Sequence, residues 1–340
     1  MVIHGDSAGA GSVAYHLTAY GGKGPDYFVG AIGESPFFPT HRTVRESEFQ
    51  YEEFVAKLNC SGSYDTLACL RRLDTAALQS ADVLSTFPGA PRDVLPQWSW
   101  LPVVDGTLSP DLLYSLFEQG RFKRVPLMVG DDTDEGTSFV PSSVNSSATF
   151  IDYLKANYPK LTCKDLTRIL KAYPSPGKQF LFQNPWFGPA EAAYGESTLI
   201  CPGIEMTKAA ARYLSPQETW NYRYNVADDA VAFAGVYHVA EKPAIFGTKY
   251  ITGGCGVNCT YDTYNTNIVP VVMHYWISFI LSLNPNPHRH SKAPVWKPWG
   301  AGSGNQRLLF ETNKTRMEAV SGAEMSRCAM WKSMSQYTEQ

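Results

Sequence analysis

The chain carries almost no excess of charge: 29 Lys and Arg stand against 32 Asp and Glu, a formal net charge of -3, and no dense basic run occurs. Without a strong field to steer it onto phosphate backbones or anionic headgroups, a nucleic-acid partner is not expected. Long apolar runs are also missing. The longest, IVPVVMHYWISFILSL at 268–283, contains Pro270 and His274 and stops short of the roughly 20 residues of a spanning helix. It predicts a buried helix and no transmembrane segment, with His274 packed in the core. The opening MVIHGDS has no basic segment followed by an apolar core, so no signal peptide is read in the chain as it stands. None of the seven cysteines forms a C-x-x-C pair, which removes a zinc ribbon. No internal repeat or low-complexity tract is found, and no metal or organic cofactor is implied.

What is present is a chain of 340 residues, 44% hydrophobic, able to bury a sizeable core. Cys60 and Cys69 lie close in sequence, and Cys255 and Cys259 closer still. Asn59, Asn145, Asn258 and Asn313 each head an N-x-[ST] sequon, two of them beside a cysteine. Together these suit a secreted, disulfide-bonded parent protein.

The organisation reads as strands alternating with helices. VIHG, YFVGAIGES at 27–35, VPLMVGDDTDEG at 125–136 and ETWNYRYNV at 218–226 are strand candidates, several ending abruptly in polar residues. ESEFQYEEFVAKL reads as an amphipathic helix, and further helical patterns fall around 109–120, 147–157, 163–172 and 189–213. This alternation predicts an α/β fold with a mostly parallel central sheet and helices on both faces. In such sheets chemistry sits beyond the carboxyl ends of the strands, where those polar residues fall.

HGDSAGAGSV, residues 4–13, holds a G-x-S-x-G pattern at Gly5, Ser7 and Gly9. Alone it would arise by chance in roughly one chain in ten of this length. Its context strengthens it, because a strand precedes and a helix-compatible run follows, as a nucleophile elbow requires. Ser7 would then point out of the sheet, and the Ala8 N–H could donate to a developing oxyanion. A serine hydroxyl needs a base, and the base needs an acid to hold its tautomer. The chain order serine, acid, histidine leaves His238, His274, His288 and His290. His288 and His290 sit in the Pro-rich NPNPHRHSKAP loop and are expected to be solvated, so His238, in the loop AGVYHVAEKPAIFG, is the best base. GDDTDEG offers Asp131, Asp132, Asp134 and Glu135, and spacing does not choose among them.

These segments together resemble the type-B carboxylesterase/lipase family, the cholinesterase-like α/β-hydrolases: GDSAGAGSV its nucleophile motif, GDDTDEGTSF its acid motif, and AGVYHVAEKPAIFG its histidine motif. CLRRL, LPVVDG, YWISFILSLNPNP and the W-x-P at 296–298 extend the likeness over nearly the whole chain. The resemblance implies Ser7 as nucleophile, His238 as general base, Glu135 as its acid partner and Ala8 as an oxyanion donor. It further implies that Asp6 and Ser35 support the histidine and the acid, and that Cys60 and Cys69 form a disulfide. It gives less help with Cys163, Cys201, Cys255, Cys259 and Cys328. Val239 replaces the usual glycine after the histidine and is expected to narrow the approach.

The family's early strands and its H-G-G-G-like oxyanion loop have no counterpart in this sequence. Residues 1–340 are therefore expected to be a single, N-terminally truncated carboxylesterase domain with an incomplete sheet. A serine carboxylic-ester hydrolase acting on a small ester or lipid is the leading reading, with weak activity for this chain alone. The alternatives are a non-catalytic, neuroligin-like binding module and an inactive fragment. Phe37, Phe38, Trp186 and Phe187 are candidates to line a substrate pocket or to serve as ordinary core.

Overall fold

The structure is a computed structural model that describes residues 1–228, 234–251, 259–302 and 304–340. Among them six strands form one sheet in the order β1 (Val2–Asp6), β2 (Gly30–Glu34), β3 (Leu127–Asp132), β4 (Thr219–Tyr224), β5 (Gln306–Phe310) and β6 (Arg316–Ala319). The first five are mutually parallel and β6 runs antiparallel to β5. The main helices are α1 (Ala8–Thr18), α2 (Val44–Lys57), α3 (Leu113–Glu118), α4 (Ser147–Asn157), α5 (Cys163–Ala172), α6 (Phe187–Gly195), α7 (Cys201–Tyr213), α8 (Ile268–Ser282) and α9 (Gly322–Ser333).

The period of two along each strand divides the core. Ala31, Leu127 and Val129 face α1, α3 and α7, whereas Ile32, Met128, Tyr222 and Tyr224 pack against α8 and Trp296 on the opposite face. Helices therefore cover both faces, as the alternating pattern requires. A third cluster joins α4 to α7 and α9 around Tyr194 and Trp331. At the edge of the sheet, every residue of β1 is partly exposed, while every residue of β2 is buried.

Several expectations need correction. The 268–283 segment is a helix, but Ile277, Ile280 and Leu281 on its outer side are exposed. His274 lies on that outer side too, exposed and edge-on to His290, rather than in the core. With apolar residues almost all round the helix, the sequence offers no polar stripe to orient it. The 189–213 pattern is broken by a wider π-helical turn at Glu196–Ile200. The His238 segment is not all loop, since it closes in a helical turn at Lys242–Phe246.

Disulfides join Cys60 to Cys69 beside α2, and Cys201 to Cys328 between α7 and α9 within the buried core. Cys259 is disulfide-bonded as well, Cys163 is a free exposed thiol, and Cys255 and Asn258 lie outside the described residues.

Candidate active site

The strand-to-helix turn after β1 forces Ser7 into φ 60°, ψ -122°, a region non-glycine residues rarely occupy and one associated with strained functional turns. Backbone bonds hold it there: Ser7 N–H donates to the Glu34 carbonyl at 2.8 Å, and the Ser7 carbonyl accepts from Gly11 N–H at 2.9 Å. Gly5 makes the crossing possible, because a Cβ there would lie 2.3 Å from the Gly9 backbone. The Ala8 N–H is the first of α1, so it lies outside the helix's own hydrogen-bond ladder at an exposed position.

Across the carboxyl ends of the strands, His238 approaches from the segment after β4. Its Nε2 is 2.7 Å from Ser7 Oγ, and its Nδ1 is 2.5 Å from Glu135 Oε2. The other carboxylate oxygen of Glu135 accepts from Ser35 Oγ at 2.5 Å and from the Asp132 N–H at 2.8 Å. Glu135 is fully buried and His238 is 6% exposed, so the pair sits in a poorly solvated place where its attraction is strong. Burial pulls the His238 pKa down, but the Glu135 carboxylate, together with Asp6 and Glu241 beyond it, outweighs burial, and the net shift is upward from 6.5.

The acidic cluster sorts itself by surroundings. Glu135 alone among its four carboxyl groups meets His238. Asp134 pairs with Lys178 and accepts from the Val236 N–H, and Asp131 is buried within β3. Burial and then the adjoining Glu241 carboxylate push the Asp132 pKa well above the ordinary carboxylate value. Gly136 sets the direction of Glu135: a Cβ at that position would lie 2.1 Å from the Glu191 carbonyl oxygen, so the turn presses directly onto α6. Asp6 does not touch His238. It pairs with Lys242 at 3.1 Å, and burial, with Glu241 nearby, raises its pKa to about 6.

Oxygen and nitrogen atoms of Asp132, Glu135 and His238 lie within 4.8 Å of one another. Both ring nitrogens are nevertheless occupied by hydrogen bonds, which leaves no free imidazole lone pair to offer a cation.

Comparison with known proteins identifies the family. The sequence pattern of the carboxylesterase family matches residues 1–331. This chain belongs to the carboxylesterase family.

Among relatives, it is 28% identical over 336 residues to secreted lipase 4 of Gibberella zeae, covering 94% of this chain and 57% of that protein. It is 31% identical over 267 residues to lipase 1 of Geotrichum candidum, covering 71% of this chain and 46% of that one. The crystal structure of Aspergillus niger EstA superposes with a TM-score of 0.95 at 49% identity, covering 100% of this chain and 65% of EstA. The chain thus spans from 46% to 65% of the length of these relatives, and its fold is the α/β-hydrolase fold.

Within this carboxylesterase chain, the four aromatic pocket candidates differ in setting, and Phe37 lines a small cavity together with Trp98 and Tyr194. Phe37 is half-buried and packs on Trp98 with ring centres 5.7 Å apart, while Phe38 and Phe187 are core and Trp186 packs at the core's margin. Trp98 and Phe139 escaped the sequence reading. Phe139 lies tilted against His238 with ring centres 5.1 Å apart, and Trp98 meets Phe139 edge-on at 5.8 Å, forming an aromatic wall beside the imidazole. Phe139 was detectable as the last residue of GDDTDEGTSF, four positions past Glu135. Also unforeseen, His4 on β1 and Trp276 on α8 both bond the buried Glu34 carboxylate, at 2.5 and 2.6 Å. Val239 adopts φ 70°, the conformation that favours glycine, so its backbone is strained one residue from His238.

Proposed function

We propose that this chain carries the acyl-transfer centre of a serine carboxylic-ester hydrolase, with Ser7 as nucleophile, His238 as general base and acid, and Glu135 as the orienting carboxylate. The observation that carries the reading is the imidazole bridging the two partners, 2.7 Å from Ser7 Oγ and 2.5 Å from Glu135 Oε2. In the first half-reaction His238 Nε2 takes the Ser7 proton as Oγ attacks the ester carbonyl. Glu135 keeps Nδ1 protonated and stabilises the imidazolium, which then protonates the departing alcohol. Water, activated by the same imidazole, releases the acid from Ser7. Ser35 and the Asp132 N–H fix Glu135, and Asp6 adds negative potential without a direct bond to His238.

The Ala8 N–H supplies one oxyanion donor. The H-G-G-G-like run that completes the family's oxyanion hole does not occur in the sequence. Each such donor is worth about 3 to 4 kcal/mol in the transition state, so turnover depends on the donors that join Ala8. The substrate is a small-molecule ester or a lipid, and the parent protein is secreted, in keeping with relatives named secreted lipases. No helix among the described residues is long and apolar enough to cross a membrane.

A fluorophosphonate probe tests the assignment without requiring turnover. Labelling of the chain that disappears in Ser7→Ala supports it; labelling that survives Ser7→Ala, or none in either this chain or a longer protein containing it, refutes it.

A further inference from the structure

Three of the four sequons lie among the described residues, and their settings differ. Asn59 follows α2, with the next residue, Cys60, buried and locked to Cys69. Asn145 precedes α4, its N–H donating to Thr149 Oγ1 at 3.0 Å within the capping arrangement of that helix. Asn313 stands in the turn between β5 and β6, exposed, with φ 61°. Its Oδ1 accepts from Asn267 Nδ2 at 3.1 Å, which leaves its own amide nitrogen without a partner among the described residues.

Asn313 and the sequon's Thr315 also line a cavity of about 350 Å³. The floor includes Pro270 and Val271 from the first turn of α8, and the rim includes Asn267, His290 and Lys292. This volume lies within the range of small-molecule sites, and the mixture suits a sugar ring, whose apolar face packs on aliphatic carbon while its hydroxyls meet amide, imidazole and ammonium groups. Neither Asn59 nor Asn145 lines this cavity.

We infer that Asn313 is an N-glycosylation site whose first sugar residues seat in the cavity beside α8. In the transfer, Asn313 Nδ2 forms a bond to C1 of a polyprenyl diphosphate-linked oligosaccharide. The C1–O bond breaks, polyprenyl diphosphate leaves, and the displaced amide proton passes to the transferring enzyme. The inference rests on the secretion reading above and is independent of the esterase chemistry. A seated glycan would cover apolar α8 surface at Pro270 and Val271 and brace the β5–β6 turn against that helix.

The experiment is expression of the full chain behind a secretory leader in a eukaryotic host, followed by peptide mapping with and without an N-glycosidase. Both secreted and membrane-associated pools are analysed, so poor export does not hide the result. The expected outcome is a glycan on Asn313 in most molecules, lost in both Asn313→Gln and Thr315→Ala. On the native protein its enzymatic release should be several-fold slower than release from Asn59 or Asn145, with the difference vanishing after denaturation. An unmodified Asn313 peptide overturns the site, and equal release rates on the native protein overturn the seating. Fluorophosphonate labelling of Asn313→Gln should match that of the parent chain, so failure of the glycan inference and failure of the esterase reading remain distinguishable.

Discussion

Opening the Cys201–Cys328 bridge should cost far more stability than opening Cys60–Cys69, and the difference follows from chain statistics. The first closes a separation of 127 residues and the second one of 9. The chain-entropy relation gives about 5 kcal/mol for the long loop and about 2.6 kcal/mol for the short one, a gap of about 2.4 kcal/mol. The effect should act on the unfolded state, because α9 keeps other anchors once the sulfurs are gone. Arg327 holds Glu196 through a fork of bonds as short as 2.5 Å, Tyr173 OH donates to the same carboxylate at 2.6 Å, and Trp331 Nε1 donates to Tyr173 OH at 2.7 Å. Cys201→Ala/Cys328→Ala and Cys60→Ala/Cys69→Ala would be compared by urea unfolding, with Ser7 labelling measured in the absence of denaturant. The long-bridge variant should unfold at the lower urea concentration while labelling at the parent rate. Equal destabilisation by the two pairs, or lost labelling with little lost stability, would refute the entropic reasoning and make the bridge a shaper of the site.

The remaining expectations concern pH. Labelling of Ser7 requires neutral His238, so its rate should rise with pH through a midpoint above 6.5; Glu135→Gln removes the main raising influence and should move that midpoint downward. By linkage, the raised His238 pKa contributes stability that is present below 6.5 and lost as pH rises through the folded-state value. Glu135→Gln should therefore destabilise more at pH 5.5 than at pH 8 in urea titrations, all on the order of one pH unit either side of the histidine range; the reverse ordering would contradict the pairing. Asp6 titrates near 6 when folded against 3.8 unfolded, so it favours folding at low pH and loses that contribution as pH rises between those values. Asp6→Asn should gain stability over the parent across the same window, up to about 3 kcal/mol at neutral pH. A gain independent of pH, measured by denaturant midpoints, would show that Asp6 is not buried as a disfavoured charge.

Strand, turn and helix around Ser7 are contiguous, so HGDSAGAGSV discloses the elbow without reference to the rest of the chain. The same holds for the strands of β2, β3 and β4, whose apolar runs are short, buried and bounded by polar residues. β5 and β6 went unseen. QRLLF is brief, and RMEA on the sheet edge mixes charge with apolar residues, leaving no clean alternation to read.

What only the tertiary structure decided is which side chains meet. Asp131, Asp132, Asp134 and Glu135 are neighbours in one acidic run, and nothing local separates them. The choice falls to Glu135 because β3 ends where it does in register with β4, and because Gly136 lets the following turn lie against α6. His238 and His274 were likewise separated by packing, since the face a helix buries depends on what it lies against. Residue types and short-range spacing act through the nearest few neighbours and are written in the sequence. Contacts across 103 and 231 residues, such as those His238 makes with Glu135 and Ser7, depend on how the sheet is assembled.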